Sequence, residues 1–280
     1  MNVLSLTSHV CYGHVGGQAS VLPLQRLGHE VWHVPTVLFS NHPGYGGYGG
    51  GPVKQIRFDD LVDSMIAREF AGSCHALHTG YLGQAGITAA ILRALQEIQR
   101  RHGGGIYLCD PVMGDNGRLY VDDSIVDAMR DTLVPAADVV TPNRFELSVL
   151  TGQDTADLPS VLTACRALQA VGPRRVVCTT AAQDNNELTL LAVDDDDAFI
   201  VRLPYVADAP FGTGDAFSGL LLGRLLNGER FDTAVSAAAA SVHGLIRATK
   251  AAGQSELAVV AAQEEIVAPA LSVAAEPYGG

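Results

Sequence analysis

Gly212-Thr213-Gly214-Asp215 is the stretch whose residue types point most directly to chemistry. Two glycines allow a tight turn in which successive N–H groups converge, and the helical pattern Ala216 to Leu226 begins immediately afterwards. Converging amides at a helix N-terminus form an anion site. An aspartate there would repel a phosphate held in that cradle, so Asp215 makes more sense as a base standing beside it. In phosphoryl transfer the protein positions reactants and stabilises charge, while a carboxylate accepts the proton of the attacking hydroxyl. Asp215 suits that base, and the amides of Gly212, Thr213 and Gly214 suit stabilisation of the transferring group. Taken alone, the same residues also read as a glycine turn with Asp215 as a plain helix N-cap. The sequence has neither G-x-x-x-x-G-K-[ST] nor a G-x-G-x-x-G after its first strand, so a nucleotide site must be built otherwise.

A second constellation lies at two strand ends. Asp110-Pro111-Val112-Met113-Gly114-Asp115 follows the apolar run Ile106 to Cys109, and Thr141-Pro142-Asn143-Arg144-Phe145-Glu146 follows Val139. In open parallel sheets the strand C-termini line the ligand crevice, so both clusters should point toward Asp215. Asp110 and Glu146 suit Mg2+ held through water, and Thr141 and Asn143 suit ATP phosphates or the waters of the ion. The plainer alternatives are a strand-ending turn at Asp110-Pro111 and a capping box from Asn143 to Glu146.

These residues need a scaffold, and its pattern is readable. Short apolar runs (Val3 to Leu6, Glu30 to Val37, Ala76 to Thr79, Ile106 to Cys109, Val139 to Thr141, Val176 to Cys178) alternate with helical patterns at Gly16 to Leu27, Phe58 to Phe70, Ile87 to Arg101, Ser124 to Leu133 and Leu158 to Val171. That alternation predicts an α/β fold, a central and mostly parallel sheet with helices on both faces. Leu188 to Val193 and Ala198 to Leu203 read as two adjacent strands joined by Asp194-Asp195-Asp196-Asp197, a solvated turn rather than a metal site. Gly214 to Leu226, Phe231 to Ala248 and Glu256 to Val267 are helical and rich in alanine. With no repeat and no linker, one domain over residues 1–270 is expected, followed by a disordered tail at 271–280.

Composition excludes several classes. The 280 residues are 48% hydrophobic, enough for a sizeable core, and the net charge of -12 disfavours nucleic acid and anionic membrane surfaces. The charge-free stretch Val31 to Val53 is interrupted by Pro35, Pro43, Pro52 and glycines, and Ala234 to Ile246 is too short to span a bilayer. Five scattered cysteines without C-x-x-C spacing, and an N-terminus that reads as a first strand, point to the cytoplasm. The histidines are dispersed without ligand spacing, and none is read as a base.

Five segments, in this order and spacing, carry a likeness to known proteins: Ser8-His9-Val10 with Tyr12-Gly13-His14 and Gly16; Phe39-Ser40-Asn41-His42; Gly80-Tyr81-Leu82-Gly83; Asp110 to Asp115; and Thr141-Pro142-Asn143. With Gly212 to Asp215 they make the chain resemble the ribokinase-like superfamily, and more closely the pyridoxal kinases. The resemblance implies an ATP-dependent kinase acting on the 5'-hydroxymethyl group of pyridoxal, pyridoxine and pyridoxamine included, with Mg2+ and with a monovalent cation left open. It implies that Ser8 bonds the pyridine ring nitrogen or the 3-hydroxyl, that Phe39, Tyr81 and the loop at His42, Pro43 and Gly44 enclose the ring, and that Thr179 and Val206 lie by the phosphates and adenine. It also implies a homodimer, with the apolar stretch Val31 to Phe39 near the interface.

Two departures stand out. Pro43 occupies a place where the family commonly has a substrate-contacting threonine, and Thr179-Thr180 replaces a more usual pair. The stretch 41–53 is unusually rich in glycine and reads as a lid that excludes water during transfer. Pro43 keeps a hydroxymethylpyrimidine kinase open as an alternative. A non-catalytic pyridoxal-binding protein is the other, and the intact Asp215 argues against it.

Overall fold

The structure is a computed structural model and describes residues 1–279. In chain order its strands are β1 (Asn2–Tyr12), β2 (Glu30–Asn41), β3 (Gly50–Pro52), β4 (Ala76–Thr79), β5 (Ile106–Cys109), β6 (Gly114–Asp115), β7 (Arg118–Leu119), β8 (Val139–Val140), β9 (Arg175–Gln183), β10 (Glu187–Asp194), β11 (Asp197–Pro204) and β12 (Glu276–Pro277). The helices are α1 (Gly17–Arg26), α2 (Gln55–Ala67), α3 (Thr88–His102), α4 (Asp123–Ala128), α5 (Val134–Ala136), α6 (Arg144–Thr151), α7 (Leu158–Gln169), α8 (Thr213–Leu226), α9 (Phe231–Ala251) and α10 (Glu264–Val267).

Among the described residues ten strands form one sheet in the order β12-β11-β10-β9-β8-β5-β4-β1-β2-β3. The six strands from β9 to β2 in that order are parallel to one another, and antiparallel strands extend both edges. Alternation along each strand sorts side chains to the two faces. Leu4, Leu6, Leu77 and Tyr107 pack beneath α2, α3 and α7 with Phe58, Ile91 and Cys165. Val3, Ala76 and Leu108 pack against α1, α8 and α9 with Leu24, Phe217 and Val235. Helix α8 is buried along almost its whole length, which explains why it is apolar all round. Gly219 lets it approach α1, since a Cβ there would press on the Ser20 backbone.

The hairpin at the four aspartates is a solvent-facing tip closed by arginines: Arg174 pairs with Asp194 and Asp195, and Arg175 with Asp194. The expected disordered tail needs correcting. Glu276–Pro277 pairs with β11, and the Tyr278 amide donates to the Ala198 carbonyl at 2.9 Å. The open edge of β11 offers unpaired backbone groups, and this segment satisfies them. Gly280 lies outside the described residues. Among those residues no helix is long and apolar enough to cross a membrane.

Candidate active site

The site is assembled where parallel strands end. Register places Ser5 of β1, His78 of β4 and Leu108 of β5 side by side on the α8 face. Two residues further along each strand, the same row reads Thr7, Gly80 and Asp110, at the C-terminal edge. Gly80 has room for no side chain, because a Cβ would meet the Thr7 hydroxyl and lie 3.9 Å from Asp215 Oδ1. The sheet edge thus comes close beneath the start of α8.

Gly212 caps α8 with φ +87°, the left-handed backbone that favours glycine. A Cβ there would strike the His14 carbonyl oxygen, so the turn after β1 lies directly against the Gly212 to Asp215 turn. The Asp215 side chain, in the first turn of the helix, accepts the Gly16 amide. Burial pushes its pKa up to about 6, and the Gly16 N–H pulls against that shift. Asp215 opens partly onto the crevice, while Gly214 is exposed. The N-cap of α8 is Gly212, and Asp215 stands three residues further into the helix, so the plain N-cap position is not its own.

Across the crevice, Asp110 is buried and accepts the Thr141 hydroxyl at 3.1 Å. Its pKa is driven well above the ordinary carboxylate value by burial first, then by the nearby Asp215 and Glu146 charges. Glu146 completes the acidic side. Its Oε1 accepts the Met113 and Gly114 amides at 2.9 and 3.4 Å, and its Oε2 the Asn143 amide at 2.9 Å. Asn143 returns the capping bond from its Oδ1 and donates from Nδ2 to the Gly114 carbonyl at 2.8 Å. The capping box is therefore real, and Asn143 has both ends of its amide engaged within the protein. Burial pushes the Glu146 pKa up to about 8 against those amides.

Three carboxylates facing one crevice repel one another, and a cation would relieve that repulsion. Among the described residues no group of three His, Cys, Asp or Glu side chains forms a metal cage. Sparse protein ligation of this kind fits Mg2+, which keeps most of its water. Asp110 would face the ion directly, and Glu146, its oxygens already engaged, would act through water.

The other side of the crevice belongs to β1, β2 and the segment 42–53. The β1/β2 register shifts between Thr7 and His9, so Ser8 faces two residues of β2 and its hydroxyl lies against Gly16. Phe39 packs with Val10 and Val37, and its ring lies 4.4 Å from that of Tyr48. Tyr81 is half-buried near Tyr48, and burial raises its pKa. The expected glycine loop is a folded hairpin: β3 pairs with β2, and Asn41 Nδ2 donates to the Gly47 carbonyl at 2.8 Å. Pro43 and Gly44 are exposed in a short 3-10 turn capped by His42. Thr179 of β9 donates its amide to the Pro142 carbonyl beside α6, and Val206 follows β11 at the same edge of the sheet.

The phosphomethylpyrimidine kinase family matches residues 56–260. Pyridoxal kinase PdxY of Corynebacterium diphtheriae is 38% identical over 280 residues, covering 99% of each chain. The enzyme of the same name from Rubrobacter xylanophilus is 40% identical over 96% of this chain and 94% of its own. The chain belongs to the pyridoxal kinase family. The structure of pyridoxal kinase from Leishmania donovani in complex with ADP and pyridoxine superposes with a TM-score of 0.94 at 31% identity, over 99% of both chains.

Within this pyridoxal kinase fold, sequence reasoning missed Tyr120. Tyr120 is 53% exposed, and its phenol is pushed upward in pKa by partial desolvation, then by the charges of Glu146, Asp215 and Asp110. Its amide donates to the Met113 carbonyl at 3.0 Å, so the short β6/β7 hairpin carries it back to the crevice. Four residues separate it from the Asp115 end of the motif, and no pattern marks it.

Proposed function

We propose that this chain transfers the γ-phosphoryl group of ATP to the 5'-hydroxymethyl oxygen of pyridoxal, giving pyridoxal 5'-phosphate and ADP. The observation that carries the reading is Asp215, standing at the start of α8 on the Gly16 amide and opposite Asp110. Asp215 takes the hydroxymethyl proton as the new P–O bond forms, and the Gly212, Thr213 and Gly214 amides face the negative charge that develops. Asp110 and Glu146, with Thr141 beside them, would hold Mg2+ through its waters, and the ion would supply neutralisation of phosphate charge. Asn143 shapes that wall through Gly114.

Ser8, Phe39, His42, Pro43, Gly44 and Tyr81 surround the vitamer, and Thr179 and Val206 face the nucleotide. Support for the vitamer comes from the whole-chain likeness to enzymes named pyridoxal kinase and to a structure with ADP and pyridoxine. Exposed Leu38, Ile56 and Leu61 on β2 and α2 support a homodimer through this side of the molecule. Five free cysteines, four of them buried, support a cytoplasmic setting.

The second reading is a hydroxymethylpyrimidine kinase, favoured by Pro43 and by the matching family profile. A panel of pyridoxal, pyridoxine, pyridoxamine and hydroxymethylpyrimidine, assayed for ADP release with MgATP, separates the two. Turnover of vitamers is expected; turnover of the pyrimidine alone would make Pro43 a specificity determinant and overturn the first reading.

A further inference from the structure

Glu256 belongs to no motif and to no secondary element, yet its carboxylate collects three groups from two parts of the site. Oε2 accepts the His14 amide at 2.8 Å, from the turn after β1. Oε1 accepts the Tyr45 hydroxyl at 2.5 Å and faces His42 Nε2 at 3.1 Å, both from the hairpin 42–53. His42 Nδ1 accepts the Gly44 amide, so the neutral ring carries its proton on Nε2 and donates to Glu256. The carboxylate is only 13% exposed, and Gly13 makes room for it: at φ +98° a Cβ would collide with Oε2. Its neighbours Leu257 and Val259 are fully buried, so Glu256 is held from the core side.

Two of the three partners of Glu256 lead onward to the chemistry. The His14 carbonyl packs on Gly212, and two residues later the Gly16 amide meets Asp215. The His42 ring stacks 4.7 Å from Phe211, the residue before Gly212. We propose that Glu256 is a positioning residue for the vitamer side of the site. It ties the hairpin 42–53 to the turn 13–16 so that both close on the Gly212 to Asp215 turn. The proposal rests on the vitamer-kinase reading. A carboxylate is required because the contacts are all donors on two different oxygens; a glutamine of the same size presents an NH2 to one of them.

Steady-state kinetics of the full chain with MgATP and pyridoxal, following ADP and phosphorylated vitamer separately, test this in Glu256→Gln and Tyr45→Phe. For Glu256→Gln the vitamer KM is expected to rise about tenfold. The KM for ATP stays near the wild-type value, and ADP forms in excess over phosphorylated vitamer as water enters. Tyr45→Phe removes one hydroxyl and should move the vitamer KM the same way by a smaller factor, with less than additive effect in the double variant. Unchanged vitamer KM and a one-to-one product ratio in the variants would overturn the proposal, as would equal rises in both KM values with a lowered Tm. Should Glu256→Gln fail to fold, Tyr45→Phe decides by the same readouts. A wild-type chain that phosphorylates no vitamer refutes the functional reading and this proposal with it; failure of the proposal alone leaves wild-type turnover intact.

Discussion

Ser218 joins His78 to the start of α8: its hydroxyl lies 3.1 Å from His78 Nε2 and donates to the Asp215 backbone carbonyl at 3.0 Å. Ser5 completes the chain at 3.1 Å from His78 Nδ1. Burial pushes the His78 pKa down to about 4, so the ring stays neutral at physiological pH and bridges β1, β4 and α8 by hydrogen bonds alone.

Removing the link should weaken the scaffold before the chemistry. Ser218→Ala leaves a buried imidazole N–H without its acceptor and is expected to lower stability by about 1–3 kcal/mol in urea unfolding. An unchanged midpoint would show that His78 does not depend on Ser218.

Gly212 should tolerate no side chain. At φ +87° an alanine is strained by about 1–3 kcal/mol, and its Cβ would meet the His14 carbonyl. Relief requires the turn to move away from Asp215, and a shift of about 1 Å in a phosphoryl-transfer site lowers kcat roughly 100-fold. Kinetics of Gly212→Ala should show that loss; wild-type kcat would mean that the turn has slack.

Asp110 illustrates function held at the expense of stability. Its folded pKa lies above the unfolded value of about 3.9, so the protonated form is favoured in the native state. Stability from this group is full at acid pH and is lost as pH rises toward the folded pKa. Asp110→Asn mimics the protonated form and can keep the Thr141 bond. In the absence of Mg2+ its Tm is expected to exceed wild type by about 2–4 °C at pH 8 for each kcal/mol relieved, with little gain near pH 4. Activity should fall. A variant less stable than wild type at pH 8 would contradict this balance of burial and repulsion.

The same reasoning sets an acid limb for catalysis. Asp215, pushed up to about 6, must be ionised to accept a proton, so kcat/KM should fall about tenfold per pH unit below that value. A profile that stays flat down to pH 5 would remove Asp215 from the role of base.

Much of this was legible from residue order. Apolar runs and helical spacing located the sheet and its crossover helices, because strand and helix periods differ and the core selects for them. Gly212 and Asp215 announced themselves because a positive-φ cap and a first-turn carboxylate need those types. Other parts were hidden. β2 runs on through Ser40 and Asn41, past the apolar run that marked it, because β1 pairs with it as far as Tyr12 opposite Asn41. The tail 276–277 joins the sheet through backbone bonds that carry no side-chain signal. Tyr120, His78 and Glu256 act through partners distant in sequence, Glu256 reaching Tyr45 across 211 positions and His14 across 242. Local pattern holds no trace of such contacts.

The most direct test of the account is the rate of phosphorylated pyridoxal formation by Asp215→Asn, measured beside its ATP affinity. The account predicts a loss of roughly 100-fold or more in kcat, the span of a missing general base, with ATP binding retained. Near-normal turnover in the variant would contradict it.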